Sequence, residues 1–213
     1  MLEFTLKEQG LELLPEKAIF WKDREILLIG DTHFGKVNHF RKSGISIPDG
    51  AAMKNLEILR QLISKTKAKE VIFLGDLFHS EMNSEWLFFK EILNSFPEIK
   101  FKLVQGNHDI FHEMTYQKGS FEFFDKPLEI GPFVLSHEPM EGEYDLYNLC
   151  GHIHPGVRLK GAAKQSLRLP CFYFQKTQGI LPAFGQFTGL FVVRPKKKDR
   201  VFVIVESKVI EVS

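Results

Sequence analysis

The sequence contains few cysteines and no long apolar run, and both absences restrict the class of protein. Its 213 residues include only Cys150 and Cys171. Each lies in an apolar stretch, so we expect buried thiols in a reducing compartment rather than a disulfide framework. Because His152 follows Cys150 closely, a role for this thiol beside the histidine stays open. No apolar run approaches the roughly 18 residues of a membrane span, and the first ten residues lack an apolar core. We therefore expect a cytoplasmic protein without membrane contact.

The sequence also lacks an excess of charge of one sign. It has 28 Lys and Arg against 27 Asp and Glu, a net charge of +1. The overall electrostatic attraction expected of a strong nucleic-acid binder is therefore missing. With 44% hydrophobic residues and 21 phenylalanines, the chain is predicted to form one domain over residues 1–213 with an aromatic-packed interior.

What the sequence does contain is five short polar clusters, most of which follow a short apolar run. They read Gly30-Asp31-Thr32-His33, Gly75-Asp76, Gly106-Asn107-His108-Asp109, Ser136-His137-Glu138 and Gly151-His152-Ile153-His154. The apolar runs are typical of strands in a covered sheet, and the turn residues that follow let side chains project beyond the strand ends. A mixed set of carboxylate, amide and imidazole donors suits Mn, Fe, Zn or Ni better than Mg or Ca. The clusters therefore predict a metal site at strand ends.

In this order the clusters resemble the signature of the calcineurin-like metallophosphoesterase superfamily. Two further stretches resemble its bacterial DNA ligase-associated (ICC-like) branch. They are Gly35-Lys36 through Phe40-Arg41 with Gly44, Pro48 and Gly50, and Arg168-Leu169-Pro170-Cys171-Phe172 followed by Leu181-Pro182-Ala183-Phe184-Gly185 and Phe187-Thr188-Gly189. The resemblance extends from about residue 30 to residue 189, which is most of the chain.

The resemblance implies roles for nine residues. One divalent metal is assigned to Asp31, His33, Asp76 and His154, and a second to Asp76, Asn107, His137 and His152. The shared Asp76 would hold two ions about 3.5 to 4 Å apart, and a hydroxide between them would attack phosphorus. His108 is the candidate acid that protonates the leaving group. Asp109 is predicted to orient the His108 ring and raise its pKa. Mn is the first expectation for the metal, with Fe, Zn or Ni also suited.

Residues that contact substrate are harder to predict. Lys36 and Arg41 follow the first cluster closely enough to attract a phosphodiester, although a solvated loop is an equal alternative. A structural role is the first interpretation of His39, His79 and His112. Of these, His79 follows Asp76 closely and is a candidate for contacting substrate or for orienting a metal ligand. The basic run at 194–200 is predicted to be a hairpin turn with solvated charges rather than a binding patch.

The pattern of apolar residues predicts an α/β fold. Helical spacing indicates helices over 49–66, with Asp49 as a cap, and over 83–96, before Pro97. Strands are predicted over 165–174, 189–193 and 201–212, with no helix after residue 165. Together with the family resemblance, this order predicts two facing mixed β-sheets flanked by helices, the four-layer αββα metallophosphoesterase sandwich.

Three functions follow from these observations and the resemblance. The first is a Mn-dependent DNA phosphodiesterase or endonuclease in DNA repair, associated in function with a DNA ligase and a helicase as branch members are. The alternative is a phosphodiesterase for a small or cyclic nucleotide. A catalytically inactive scaffold is disfavoured because no ligand of the signature is missing. The sequence does not decide the substrate, native metal, cleavage polarity or oligomeric state.

Overall fold

The structure is a computed structural model that describes residues 1–37, 44, 50–78, 84–109, 121–142, 145–160 and 165–212. Seven of the described strands form a first sheet, in chain order. They are β1 Leu2–Leu6, β2 Gln9–Leu14, β3 Ala18–Trp21, β4 Ile26–Ile29, β5 Glu70–Leu74, β6 Lys100–Val104 and β7 Phe121–Phe124. β1 to β4 are antiparallel, and β4 to β7 are parallel. The carboxyl ends of β4, β5 and β6 therefore lie at one edge.

Two helices pack on the outer face of this sheet. Helix α1 spans Ala51–Thr66 and α2 spans Ser84–Ser95. The apolar side chains of α1 recur at helical spacing and are buried against strands β4 and β5. Gly50, with φ of 81°, precedes α1, and the predicted cap Asp49 lies outside the described residues. In the described part of the chain, no helix is long and apolar enough to cross a membrane.

The remaining nine described strands form the second sheet. They are β8 Leu128–Ile130, β9 Phe133–Leu135, β10 Tyr147–Cys150, β11 Pro155–Lys160, β12 Ser166–Phe174, β13 Gln178–Ile180, β14 Phe191–Val192, β15 Arg200–Val205 and β16 Lys208–Glu211. The order is β14-β11-β12-β13-β10-β9-β8, with β15 paired to β12 and β16 to β15. β9, β10 and β13 are mutually parallel. Two mixed sheets are therefore present, as predicted.

One large apolar core lies between the first sheet and the helices, and a second lies between the two sheets. Trp21 of the first sheet meets Phe133 of the second with ring centroids 4.8 Å apart. In β12, Phe172 faces this core, whereas Cys171 and Tyr173 face a smaller cluster on the outer side of the second sheet. Among the described residues, both α-helices lie on the first sheet and none covers this outer cluster.

Two details of the second sheet differ from the prediction. The strand predicted over 201–212 is a hairpin, because the chain turns at Glu206 with φ of 51°. The basic run at 194–200 does contain a turn, which Asp199 closes by accepting the Lys196 N–H. It does not join hairpin partners, since β14 pairs with β11 and β15 pairs with β12. The sequence could not show these pairings because both partners are distant along the chain.

Candidate metal centre

The predicted site residues lie at the carboxyl ends of five parallel strands drawn from both sheets. Asp31 and His33 follow β4, Asp76 follows β5, and Asn107 follows β6. His137 follows β9 in the second sheet, and the pair His152 and His154 follows β10. Because the sheets face each other, these loops meet at one edge of the sandwich.

The first group of donor atoms surrounds His154. Its Nε2 lies 3.2 Å from Asp31 Oδ1 and 3.3 Å from His33 Nε2. His33 Nε2 is also 3.7 Å from Asp76 Oδ2. Asp31, His33 and His154 form a group whose donor atoms all lie within 4.8 Å of one another, as the ligands of one ion would.

The second group surrounds His137. Its Nε2 is 2.8 Å from Asn107 Oδ1, 3.5 Å from Asp76 Oδ1 and 3.1 Å from His152 Nδ1. His137 Nδ1 donates a hydrogen bond to the Leu74 carbonyl at 2.9 Å. The unprotonated Nε2 therefore points its lone pair at the other candidate ligand atoms. Asp76 thus presents Oδ2 to the first group and Oδ1 to the second, the geometry needed for a bridging carboxylate.

Burial makes this arrangement costly without a cation. The Asp31 side chain is fully buried, and Asp76, His33 and His137 are at most 5% exposed. Asp31 Oδ2 accepts the His152 N–H at 2.8 Å, but among the described residues Oδ1 accepts no hydrogen bond. A buried carboxylate oxygen facing imidazole nitrogens requires a compensating positive charge. The donor set therefore fits divalent transition-metal ions.

The backbone of the site is strained at the same positions. Five of the seven predicted ligands have φ between 46° and 68°, a left-handed conformation unusual for residues other than glycine. They are Asp31, His33, Asp76, His152 and His154. Each costs about 1 to 2 kcal/mol relative to ordinary backbone. Such strain persists where surrounding contacts enforce it, and it concentrates at functional sites.

Two glycines are required by close packing against the donors. A Cβ on Gly106 would lie 2.3 Å from the Asp76 backbone nitrogen, and one on Gly151 would lie 2.4 Å from Asp31 Oδ2. Real Cβ atoms essentially never approach other atoms so closely. These glycines therefore let the loops of different strands meet around the donors.

Comparison with known proteins identifies the family. A family model described as calcineurin-like phosphoesterase matches residues 24–180. The chain belongs to this family. It is therefore a metal-dependent phosphoesterase, a hydrolase whose family uses a dinuclear metal centre.

Solved structures extend the comparison. The crystal structure of the Pseudomonas putida nuclease MPE is similar, with 29% sequence identity and a TM-score of 0.84, covering 99% of each chain. A protein of unknown function from Aquifex aeolicus, AQ665, has 23% identity and a TM-score of 0.41 over 61% of this chain and 78% of its own. That second likeness is too weak for argument. A search of curated protein sequences found no significant match.

His108 lies at the mouth of the phosphoesterase site. Its backbone N–H donates to Asp76 Oδ1 at 2.9 Å, and its ring centroid is 5.8 Å from that of His33. The side chain is partly exposed. The ring thus borders the donor cluster and is partly open to solvent.

The contacts of Asp109 differ from the predicted ones. Oδ2 accepts the N–H groups of Asp76 at 2.8 Å and Gly106 at 2.9 Å, and Oδ1 accepts that of Leu77 at 2.8 Å. Burial raises the pKa of Asp109, while the three hydrogen bonds oppose that shift. Among the described residues, Asp109 therefore accepts hydrogen bonds from backbone N–H groups and not, as predicted, from the His108 ring. Asp109 ties together the two loops that carry Asp76 and Asn107.

The loop of His137 is held by Asn148, a residue that was not among the predicted site residues. Asn148, buried in β10, donates through Nδ2 to the Val134 carbonyl and to Ser136 Oγ, and accepts the Met140 N–H. An asparagine inside the apolar run Tyr147–Cys150 was the available signal, since a buried amide needs several partners.

The structure describes one of the three predicted substrate residues. Lys36 is partly buried, and burial lowers its pKa while the nearby carboxylates of Asp76 and Asp31 oppose that shift. It therefore lies within electrostatic reach of the centre. Arg41 and His79 lie outside the described residues, as do His39 and His112.

A groove of about 350 Å³ opens beside the second group of donors. Asn107 and His137 line its inner end. The outer walls carry Asp125, Lys126 and Glu138, all exposed. The groove thus leads from the donor cluster to solvent between the loops of the two sheets.

Proposed function

We propose that this chain is a Mn-dependent phosphodiesterase that hydrolyses DNA. The observation that carries this proposal is the similarity to the P. putida nuclease over 99% of both chains, joined to a donor cluster that combines oxygen and nitrogen atoms. Such a cluster suits Mn, and Fe, Zn or Ni are the alternatives. The single-stranded or structured DNA of repair is the expected substrate. A functional association with a DNA ligase and a helicase rests on the branch resemblance alone.

We assign the two ions as the family resemblance implies. Asp31, His33, Asp76 and His154 would hold one, and Asp76, Asn107, His137 and His152 the other. The two groups of short donor distances support this division, as does the position of Asp76 between them. Two bound dications would supply an activated hydroxide at neutral pH and stabilise charge on the phosphoryl oxygens.

The surrounding residues would handle the proton and the substrate. His108, at the mouth of the site, donates a proton to the leaving oxygen. Lys36 attracts the substrate phosphate to the centre, and Arg41 and His79 are proposed for the same task from the sequence. Asp109 acts as a positioning residue because its oxygens are occupied by backbone amides of the ligand loops.

The test is a substrate panel with purified protein and added Mn, Fe, Zn, Ni or Mg. We expect hydrolysis of an aryl phosphodiester and cleavage of single-stranded or hairpin DNA, with Mn among the activating metals. Cleavage of the aryl diester without cleavage of linear, circular or hairpin DNA would refute the DNA assignment.

The second candidate substrate is a small or cyclic nucleotide. The groove beside Asn107 and His137 favours it, because a volume of about 350 Å³ is in the range of pockets for small ligands. Its outer walls carry more acidic than basic side chains, which suits a nucleoside better than a second phosphate. Nucleotides and cyclic nucleotides in the same panel separate the two functions.

A further inference from the structure

The charge of this chain is unevenly distributed. Residues 146–198 include nine of its 28 Lys and Arg and none of its 27 Asp and Glu. The remainder therefore holds 19 basic against 27 acidic residues, so the net charge of +1 conceals a strongly basic segment. This segment includes β10 and both His152 and His154, and its first basic residue, Arg158, lies four residues beyond His154.

The hairpin of β11 and β12 places two of these charges side by side. β11 starts directly after His154, and β12 runs antiparallel to it. Arg158 of β11 lies directly opposite Arg168 of β12 in the register, and both side chains are exposed. Side chains at such positions have Cβ atoms about 4.5 to 5.5 Å apart, and like charges there are destabilising.

Within the described residues, nothing neutralises this pair. The neighbouring pairs on the same face are Gly156 with Pro170 and Lys160 with Ser166, which include no carboxylate. No described ion pair involves either arginine. Two other exposed arginines do have acidic partners, since Arg60 pairs with Glu57 and Arg200 with Glu211.

The position of the pair indicates what would neutralise it. Arg158 lies four residues beyond His154, about 13 Å along an extended strand at roughly 3.3 Å per residue. A second phosphate of a nucleic-acid strand would lie beyond the reacting one, whereas a mononucleotide has no charge to extend along the hairpin. Arginine also suits this task because its guanidinium binds phosphate in a bidentate manner.

We propose that Arg158 and Arg168 form a phosphate-binding surface, the hairpin surface, for the nucleic-acid backbone beyond the reacting phosphate. The proposal rests on the proposed nucleic-acid substrate and makes the hairpin a determinant of preference for polymers over small diesters. A polyanion along this face removes the repulsion between the two arginines, so binding and local stability are coupled.

The test compares the double variant R158Q/R168Q with the wild-type chain and with R60Q/K65Q. The control removes two exposed positive charges from α1, on the far face of the first sheet. Binding of a fluorescent single-stranded oligonucleotide is measured by anisotropy over a salt series, with chelator present to prevent cleavage. Turnover of bis(p-nitrophenyl) phosphate with Mn is measured in parallel.

We expect R158Q/R168Q to bind the oligonucleotide more weakly and to reduce the slope of log K against log salt by about 1.4, or about 0.7 per lost phosphate contact. R158Q/R168Q should turn over the aryl diester at the wild-type rate. R60Q/K65Q should match the wild type in both assays. If the double variant is unstable, R168Q alone should give about half the change in slope.

Two outcomes separate the failure of this proposal from the failure of the proposed function. If the wild-type protein cleaves DNA and R158Q/R168Q has the same salt slope as the wild type, the hairpin surface is refuted and the proposed function is not. Wild-type turnover of the aryl diester without binding or cleavage of nucleic acid would overturn both.

Discussion

The two sheets contribute chemically different halves of the candidate metal centre. The loops of the first sheet supply the oxygen donors Asp31, Asp76 and Asn107 together with one imidazole, His33. The loops of the second sheet supply imidazoles alone. Each proposed ligand set combines donors from both sheets, so it is complete only when the sheets are packed face to face. We therefore expect metal affinity to depend on the packing of the two sheets.

The halves also differ in how they are held. In the first sheet, Asp109 joins two ligand loops through three backbone hydrogen bonds, and Thr32 donates to the Leu77 carbonyl at 2.8 Å. The second half is joined to the first directly, because His137 donates to the Leu74 carbonyl and the His152 N–H donates to Asp31. The first half is thus held by its own contacts, whereas the second is held both by Asn148 and by hydrogen bonds to the first half.

The largest effect is expected from Asp76→Ala, which removes the carboxylate shared by both groups of donors. Turnover should fall below detection and neither ion should bind tightly, because each loses a ligand. Activity assays and elemental analysis of the purified variant measure this. His152→Ala removes a donor assigned to one ion and should leave one ion bound. Asp145→Ala, at an exposed position, should match the wild type. Two tightly bound ions in Asp76→Ala would contradict the bridge.

His108→Ala should have the next largest effect. Loss of the proton donor is expected to slow cleavage of substrates with poor leaving groups by on the order of 100- to 10,000-fold. Both ions should remain, since His108 is not assigned as a ligand. The loss should be smaller for nitrophenyl esters, whose leaving group needs no proton. Equal losses on good and poor leaving groups would argue against the acid role.

Asp109→Ala tests whether the first half is braced as its contacts indicate. Three buried N–H groups would lose their acceptor, at about 1 to 3 kcal/mol each, and metal affinity should fall roughly 10- to 100-fold. Competition with a chromogenic chelator measures affinity, and urea unfolding measures stability. If Asp109 instead served His108, the variant would keep its metal affinity and reproduce the leaving-group dependence of His108→Ala.

The smallest effect concerns the outer face of the second sheet, away from the metal centre. Burial raises the pKa of Cys171 from 9.0 to about 12, and it also raises that of Cys150. Below about pH 9 both thiols are neutral whether folded or unfolded. Between about pH 9 and 12 only the unfolded chain ionises, so the free energy of unfolding should fall by up to about 1.4 kcal/mol per pH unit per thiol.

Cys171→Ala should therefore lose stability less steeply than the wild type between pH 9 and 10.5. Urea unfolding at several pH values measures the slope. Turnover at pH 8 should be unchanged, because Cys171 lies in β12, a strand that carries none of the predicted ligands. A slope identical to that of the wild type would show that the Cys171 thiol already ionises in the folded chain.

Much of the site follows from local sequence. The apolar runs before Asp76, Asn107 and His137 form strands, as predicted, because an apolar run followed by turn residues is a local signal. These strands are Glu70–Leu74, Lys100–Val104 and Phe133–Leu135. The seven predicted ligands gather at one edge for the same reason. Their roles as ligands, and that of His108 as an acid, remain predictions.

Other features could not be predicted because they depend on residues distant in sequence. The contacts of Asp109 join loops more than 30 residues apart, and a motif of adjacent residues suggested His108 as its partner instead. Residues 201–212 were predicted to form one strand, because Glu206 is not a typical turn residue. The structure has a hairpin that turns at this position. Strand pairing in the second sheet follows tertiary packing rather than local pattern.

The donor residues of this protein, the ends of several strands and its family resemblance can all be read from the sequence, because they depend on neighbouring residues. The pairing of oxygens with imidazoles, the strained backbone positions and the register that places Arg158 opposite Arg168 arise from folding. Those features depend on the register between strands and on the packing of two sheets, which no single stretch of chain specifies.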